Sequence, residues 1–379
     1  MPSRPQSTGR GAPAASRLRA MDALRLLAAA AVMLFHFTAR DHARWGEDVL
    51  PADVFGGVAD VTRYGYAGVH LFFVISGFVI LMSVWGRTVP QFVASRVSRL
   101  YPAYWAAVLL SATLRWWWPG FGAATPTEVL ANLTMVHEPF GVASVDGVYW
   151  TLWVEMQFYL LVLGLVLWGV TARRVVVLAA VVPTVLTTAS LLLPELDARV
   201  SVLGWSPLFG AGMVLYVIHR EGSTASRWAV VALCAALAAA RSSLRVAHAV
   251  EQVATGTVQP WLLGGIAVAV VGVVAVVALV PRVRDLDWRW LTALGALTYP
   301  LYLTHEYVGW AVIEVLAPRA GRWLTLLLAV AVCVALAWLL HRLVEERTHR
   351  PLRLWVEQRL TGAARREPAR AGAADAAAR

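Results

Sequence analysis

The amino-acid sequence predicts an all-α fold, a polytopic membrane helix bundle of about ten transmembrane helices. Two observations lead to this fold class. Of the 379 residues, 59% are hydrophobic and only 15% are charged. Long apolar runs also recur along the whole chain, and most approach the roughly 20 residues that an α-helix needs to cross a bilayer. The sequence is therefore that of a polytopic membrane protein.

Ten segments have the length and apolar character of membrane spans. They lie at about 22–40, 65–86, 100–118, 148–170, 175–193, 199–219, 228–240, 261–281, 291–316 and 323–341. The seventh is shorter than the roughly 17 residues that a span needs, so we expect it to extend toward Arg241 or to cross a locally thinned bilayer. Residues 1–18 and 358–379 lack the pattern to bury a core, so they are predicted to be disordered tails around one membrane domain, 19–357.

The arginines outside the spans indicate the orientation in the membrane. All 33 basic residues are Arg, and most of those outside the spans fall in the two tails and in loops on the same side. By the positive-inside rule that side is the cytoplasm, so both termini are predicted to be cytoplasmic in a bacterial cell membrane. The net charge of +10 is explained by orientation in the bilayer, and nucleic-acid binding is not expected.

Titratable side chains lie within the predicted spans, where each is costly and marks a candidate functional site. His36, His305 and Glu155 belong to three different spans, and at about 1.5 Å per residue each lies about 20 Å from the cytoplasmic end. His70 falls at a similar level. A lone buried His is often a structural contact, but a neutral His beside a carboxylate can act as a general base toward a hydroxyl. We predict that His36 and Glu155 form such a pair.

Arginines Arg25, Arg96 and Arg99 are grouped near the cytoplasmic ends of the first and third spans. Arg25 lies eleven residues before His36, on nearly the same helix face. The guanidinium fork matches phosphate oxygens, so these arginines fit a phosphate-rich donor such as coenzyme A or a nucleotide. Membrane orientation or lipid headgroup binding is the alternative. No Walker or dinucleotide-binding glycine pattern favours a nucleotide.

The Ser76-Gly77 pair interrupts an otherwise bulky run in the second span. Small residues in a membrane helix allow close helix packing, and lining of a substrate path is the second interpretation for Ser76. A nucleophilic role for Ser76 is discounted, because no base is visible near it in the sequence. Cys234 and Cys333 both lie in apolar runs, so neither a disulfide framework nor a metal site is predicted.

Five blocks spread over most of the chain resemble motifs of the acyltransferase-3 family of integral membrane O-acyltransferases. They are the Arg25-to-His36 spacing, GVHLFFVISGF, RVSRLYPAYW, YWTLWVEMQFYLL and LTYPLYLTHE. The LVEER segment is similar to the terminal acidic motif of the family. Three positions depart from the pattern: His70 replaces an Asp, Thr151 a Ser and Met156 a second Glu.

The resemblance implies an enzyme of the stand-alone type, without a fused SGNH domain. It would transfer an acyl group, often acetyl, from cytoplasmic acyl-CoA directly to a hydroxyl of a carbohydrate or secondary metabolite. Acyl-CoA is then a co-substrate, no bound cofactor or metal is expected, and the other partners are the acceptor and membrane lipids. The expected site residues are His36 and Glu155 for catalysis, Arg25, Arg96 and Arg99 for the donor, and Ser76, Tyr302 and His305 for the lining.

Two other functions stay open on the sequence alone. A row of intramembrane His and Glu also suits the proton relay of a transporter or flippase, although no second half of the chain repeats the first. An acyltransferase-like scaffold without activity would fit the departures at His70 and Met156. Ester formation that depends on His36 would distinguish the enzyme from both.

Overall fold

The structure is helical throughout the part of the chain that it describes. This computed structural model describes residues 19–193, 202–286 and 288–377, and contains no β-strand within these ranges. One isolated antiparallel bridge joins Arg40 to Ala254. The predicted all-α fold class is confirmed.

Ten long helices coincide with the ten predicted spans. They are α1 (Arg19–Thr38), α2 (Gly68–Val84), α3 (Val89–Trp117), α4 (Trp150–Trp168), α5 (Ala172–Leu192), α6 (Val202–Glu221), α7 (Ala225–Arg241), α8 (Pro260–Leu279), α9 (Arg289–Leu316) and α10 (Arg322–Leu340). Seven of them, counted with their helical extensions, are long and apolar enough to cross a membrane, namely α1, α2, α4, α5, α7, α8 and α10. Helices α3, α6 and α9 do not belong to this set. The protein is thus a multi-pass helix bundle, while ten crossings and cytoplasmic termini stay predictions.

Shorter helices connect or extend the long ones. They are Pro51–Phe55, Gly57–Thr62, Arg63–Ala67, Pro119–Phe121, Pro126–Leu133, Glu138–Phe140, Gly147–Tyr149, Ala247–Glu251 and Pro281–Arg284, with π-helical turns at Ser242–Val246 and His341–Glu345. The seventh span does extend past Arg241, because α7 continues through the first π turn to Glu251.

The last helix, α11 (Glu346–Ala377), occupies most of the segment predicted as a disordered tail, 358–379. Its residues are mainly Ala, Arg and Glu, which are good helix formers and need no apolar core to favour a helix. The helix packs against α3. The other predicted tail, 1–18, lies outside the described residues.

Helix packing brings together the segments that carry the polar residues. Helix α9 packs against α1, α3 and α10, whereas α6 packs against α2, α5 and α7. The α2–α6 crossing is made close by two glycines: a Cβ on Gly77 would lie 2.1 Å from the carbonyl oxygen of Phe209, and one on Gly212 would lie 2.0 Å from that of Val74. The small residue at Gly77 therefore serves helix packing.

Replacing Gly77 with Ala is expected to destabilise the bundle by about 1–3 kcal/mol, since the added methyl overlaps backbone atoms and forces α2 and α6 apart. Thermal unfolding of purified protein in detergent measures the effect. The control is Gly164→Ala in α4, where an added Cβ meets no atom within 4 Å. Equal melting temperatures for the two variants would contradict this account of the crossing.

Candidate active site

His36 lies in the last turn of α1 and is hydrogen-bonded to His305 of α9. The His36 Nδ1 atom is 2.9 Å from the carbonyl oxygen of Val32 and 3.0 Å from His305 Nε2. His305 Nδ1 in turn lies 2.9 Å from the carbonyl oxygen of Tyr302, which can only accept. His305 therefore donates from Nδ1 and accepts at Nε2, so His36 donates from Nδ1. These partners leave the lone pair of neutral His36 on Nε2, the atom that can take up a proton.

The carboxylate beside that atom belongs to Glu306. Glu306 Oε2 lies 3.5 Å from His36 Nε2, and Oε1 lies 3.2 Å from Arg40 Nη1. Only 1% of Glu306 is exposed, and Oε2 has no hydrogen-bond partner among the described residues. The Arg40 guanidinium supplies the opposite charge that a buried carboxylate requires. A proton taken up at His36 Nε2 would then be stabilised by the adjacent negative charge.

The turn before α4 supports Glu306 from the other side. A Cβ at Gly147 would lie 2.6 Å from Glu306 Oε1, so the carboxylate can approach only because this residue is Gly. The preceding Asp146 accepts hydrogen bonds from Ser111 Oγ at 3.1 Å and from the Val148 amide at 3.3 Å. Burial, together with the nearby Glu306 carboxylate, raises the pKa of Asp146 well above its usual range. Of these two acids, Glu306 is the one that pairs with Arg40 and lies next to His36.

His36 borders a cavity of about 240 Å³, the histidine cavity. Its lining also includes Arg40, Tyr66, Trp150 and Tyr302. The rings of Tyr66 and Trp150 are stacked, with their centroids 6.3 Å apart. The cavity is therefore lined by an imidazole, a guanidinium group and aromatic rings.

A second cavity, of about 210 Å³, contains the three predicted arginines and is the arginine cavity. Arg25 extends into it from α1, and Arg96 and Arg99 extend from α3. Ser76 of α2 and Glu155 of α4 also line it. Tyr302 of α9 lines it too, so the structure brings together six of the residues that the sequence selected.

The arginines are held in place but keep N–H groups for a further partner. Arg96 Nε is buried without a hydrogen-bond partner among the described residues, and its guanidinium lies 5.9 Å from the ring centroid of Tyr159. Arg99 Nη1 lies 3.4 Å from Glu345 of the LVEER segment, whose other oxygen is 2.7 Å from His341 Nδ1. Since a guanidinium has five donors, these contacts leave several N–H groups available to an anionic ligand.

A wider cavity of about 1100 Å³, the vestibule, adjoins the arginine cavity. The two share Arg25, Val79 and Arg99 as lining residues. Pockets for drug-sized ligands typically measure about 300–1000 Å³, so the vestibule has room for a large polar molecule. Its remaining ionisable lining residues are Arg19, Asp22, His341, Arg342 and Glu346.

The predicted pairing of His36 with Glu155 is wrong, because Glu306 occupies the place expected for Glu155. Glu155 Oε1 instead accepts hydrogen bonds from Ser76 Oγ at 3.1 Å and from the Tyr159 hydroxyl at 2.6 Å, among the arginines. Depth counted along a helix does not determine which neighbour a side chain faces. A catalytic role for Glu155 stays a prediction, but Glu155 is not the direct partner of His36.

His70 is separate from both cavities. Its Nε2 lies 2.9 Å from Ser242 Oγ in the π turn after α7, and its ring packs edge-on against Trp205 with centroids 5.3 Å apart. It lines neither the arginine nor the histidine cavity. The structure therefore places His70 in an interhelical contact between α2 and the end of α7.

Sequence reasoning missed Glu306, Arg40 and Asp146. Glu306 is an acid inside the predicted span 291–316, so the criterion that selected Glu155 could also have selected it. Arg40 follows His36 by four residues, a spacing that would put both on one face of the predicted span 22–40, although the helix itself ends at Thr38. For Asp146 no sequence pattern indicates its proximity to α9.

The arginine cavity is the part of the site suited to a phosphate-bearing co-substrate. Its three guanidinium groups converge from two helices. Within the ranges that the structure describes, no group of three or more His, Cys, Asp or Glu side chains is arranged to hold a metal ion. The residues present therefore favour recognition of an anionic ligand.

Comparisons with known proteins show to which family the chain belongs. The profile of the acyltransferase domain of the acyltransferase-3 family matches residues 18–342. The exopolysaccharide production protein ExoZ of Rhizobium meliloti (strain 1021) is 36% identical over 110 residues, which cover 26% of this chain and 34%, about a third, of ExoZ. No solved structure matches the chain. The profile match confirms the predicted family and enzyme class, a membrane acyltransferase, and the chain belongs to the acyltransferase-3 family.

Proposed function

We propose that this protein, in the cell membrane, transfers an acyl group, above all acetyl, from acyl-CoA to a hydroxyl of a carbohydrate or secondary metabolite. One observation carries the proposal. The arginine cavity and the histidine cavity are neighbours that share the lining residues Val69 and Tyr302. A phosphate-binding region and a base are therefore arranged along one path through the bundle.

The arginine side of this path suits the donor. Arg25, Arg96 and Arg99 hold the phosphates of coenzyme A through bidentate contacts, with the bulk of the nucleotide in the vestibule. Arg25 and His36 are separated by about 16 Å along α1, at 1.5 Å per residue. A donor that engages both ends of the path needs a long, narrow arm between its phosphates and its reactive group. The pantetheine arm of coenzyme A meets that requirement.

The histidine side suits the reaction itself. The acceptor hydroxyl oxygen attacks the thioester carbonyl carbon while His36 Nε2 takes the hydroxyl proton. Glu306, 3.5 Å away and paired with Arg40, stabilises the resulting imidazolium. The carbon–sulfur bond then breaks, the thiolate leaves, and it receives the proton from His36. The products are an ester and free coenzyme A, with no acyl-enzyme.

The aromatic rings of the histidine cavity favour a carbohydrate as acceptor. Tyr66 and Trp150 present flat faces, which pack well against the apolar C–H surface of a sugar ring. The similarity to ExoZ, by name an exopolysaccharide production protein, supports the same class of acceptor.

Replacing Arg96 with Gln is expected to raise the KM for acyl-CoA by roughly tenfold or more, with a smaller change in kcat. A hydrogen bond to a charged group contributes about 1.5–3 kcal/mol to binding, and the substitution removes this contribution from the binding of the donor. Steady-state kinetics with varied acetyl-CoA measure the change. Arg173→Gln is the control, because Arg173 is exposed and lines neither cavity. Equal KM values would remove Arg96 from the donor site.

Acyl transfer in isolated membranes tests the proposed function. Membranes with the wild-type protein receive radiolabelled acetyl-CoA and extracted glycan or metabolite pools, and alkali-labile label in the products is counted. We expect such label only when the protein is present. Accumulation of an unmodified solute in vesicles, without ester formation, would instead favour a transporter.

A further inference from the structure

The boundary between the two cavities is formed by Tyr302 of α9. Its side chain lines the arginine cavity and the histidine cavity, and Val69 is the second residue common to both linings. Tyr302 is only 8% exposed. Anything that passes from the arginines to His36 therefore has to pass this ring.

The Tyr302 side chain is held across the boundary by α4. Its hydroxyl lies 2.8 Å from Thr151 Oγ1, and the Thr151 hydroxyl donates to the carbonyl oxygen of Val148 at 2.9 Å. Thr151 thus accepts the hydrogen of Tyr302. The Phe72 ring packs edge-on against the Tyr302 ring, with centroids 5.4 Å apart. The centroid of the His305 ring lies 5.8 Å from that of Tyr302. The Tyr302 side chain is therefore held in position by a hydrogen bond at its hydroxyl group and by ring contacts along its length.

The acyl end of a donor is the part that reaches this boundary first. When the phosphates of the donor bind the arginines, the pantetheine arm extends toward Tyr302 and the thioester lies at its far end. The carbonyl carbon has to come within reach of an acceptor oxygen activated by His36. The carbons beyond the carbonyl then lie at the boundary itself, where Tyr302, Thr151 and Phe72 line the arginine cavity.

We propose that Tyr302 and Thr151, packed against Phe72, restrict the transferred group to a short acyl chain. This specificity rests on the proposed acyl-CoA-dependent function and adds to it the residues that select the donor. An acetyl group adds one methyl beyond the carbonyl, whereas butyryl and hexanoyl groups carry further methylenes that meet the Tyr302–Thr151 hydrogen bond. Since a protein site distinguishes one methylene by about 10- to 200-fold, a boundary of this kind can discriminate strongly.

The substitution Thr151→Ser tests the boundary with the least disturbance. It removes one methyl group but retains the hydroxyl that accepts from Tyr302. Tyr302→Phe is the second variant, because it keeps the ring and removes the hydrogen bond. The control is Thr184→Ser in α5, whose hydroxyl donates to the carbonyl oxygen of Ala180 and which lines neither cavity.

The measurement is the ratio of kcat/KM for butyryl-CoA to that for acetyl-CoA, with hexanoyl-CoA as a third donor, for each variant in the same membranes. We expect the wild type and Thr184→Ser to prefer acetyl by roughly tenfold or more, and Thr151→Ser to raise the butyryl ratio by about tenfold. A ratio unchanged in Thr151→Ser and Tyr302→Phe, or equal use of all chains by the wild type, would overturn the proposal while leaving acyl transfer intact. No transfer of any chain by the wild type would instead contradict the proposed function, and the chain-length proposal with it.

Discussion

Replacing His36 with Gln is expected to lower kcat for acyl transfer by roughly 10²- to 10⁴-fold, the contribution typical of a general base. The physical reason is the assignment of the His36 hydrogen to Nδ1, which leaves Nε2 as the proton acceptor. An amide at this position retains polarity and similar bulk but has no basic nitrogen. Single-turnover measurements with saturating acetyl-CoA separate this loss from any change in donor binding.

The matched control is His219→Gln. His219 is also a histidine within a long apolar helix, but its Nδ1 lies 3.0 Å from the carbonyl oxygen of Ala278 and it lines neither cavity. Near-normal rates are expected for it. If His36→Gln, folded and expressed like the control, retained the wild-type rate, His36 would not be the base.

Replacing Glu306 with Gln is expected to reduce kcat by roughly 10- to 100-fold. The substitution removes the negative charge 3.5 Å from His36 Nε2 and leaves Arg40 without its buried partner. A contact between charged groups contributes about 1.5–3 kcal/mol, which corresponds to that range in rate if it acts mainly on the protonated His36. The loss should appear in kcat rather than in the KM for acyl-CoA, because Glu306 does not line the arginine cavity.

Glu314→Gln on the same helix is the control for Glu306. Glu314 forms an ion pair with Arg44 at 2.9 Å and is partly exposed, outside both cavities. Its replacement should change the rate little. An equal loss in both variants would attribute the effect to helix α9 as a whole and contradict a direct role for Glu306.

The fold was predictable from the sequence because apolar length and hydropathy determine membrane helices directly. Each predicted span coincides with a helix in the structure, and even the extension of the short seventh span was anticipated. The helical structure of residues 358–377 was not predicted. A segment without an apolar face gives no periodic signal in the sequence, although its Ala, Arg and Glu residues favour a helix.

Some of the contacts between the candidate site residues were predictable from the sequence, and others were not. The structure does bring Arg25, Arg96 and Arg99 to one cavity and places His36 against His305. The sequence indicated this closeness, because the arginines fall near the cytoplasmic ends of spans and both histidines fall at a similar depth within spans. Which side chains contact each other depends on how each helix is rotated about its own axis. Spacing along the sequence does not determine the rotation of one helix relative to another. That is why Glu155 was paired with His36 in place of Glu306.

The central claim is that the two cavities form one reaction path, with the donor at the arginines and the base at His36. A structure of the protein bound to a non-transferable acetyl-CoA analogue, with the thioester sulfur replaced, tests it most directly. We expect the phosphates on Arg25, Arg96 and Arg99, and the acetyl end at Tyr302 beside the histidine cavity. Phosphates bound away from these arginines, or an acetyl end directed away from Tyr302, would contradict the account.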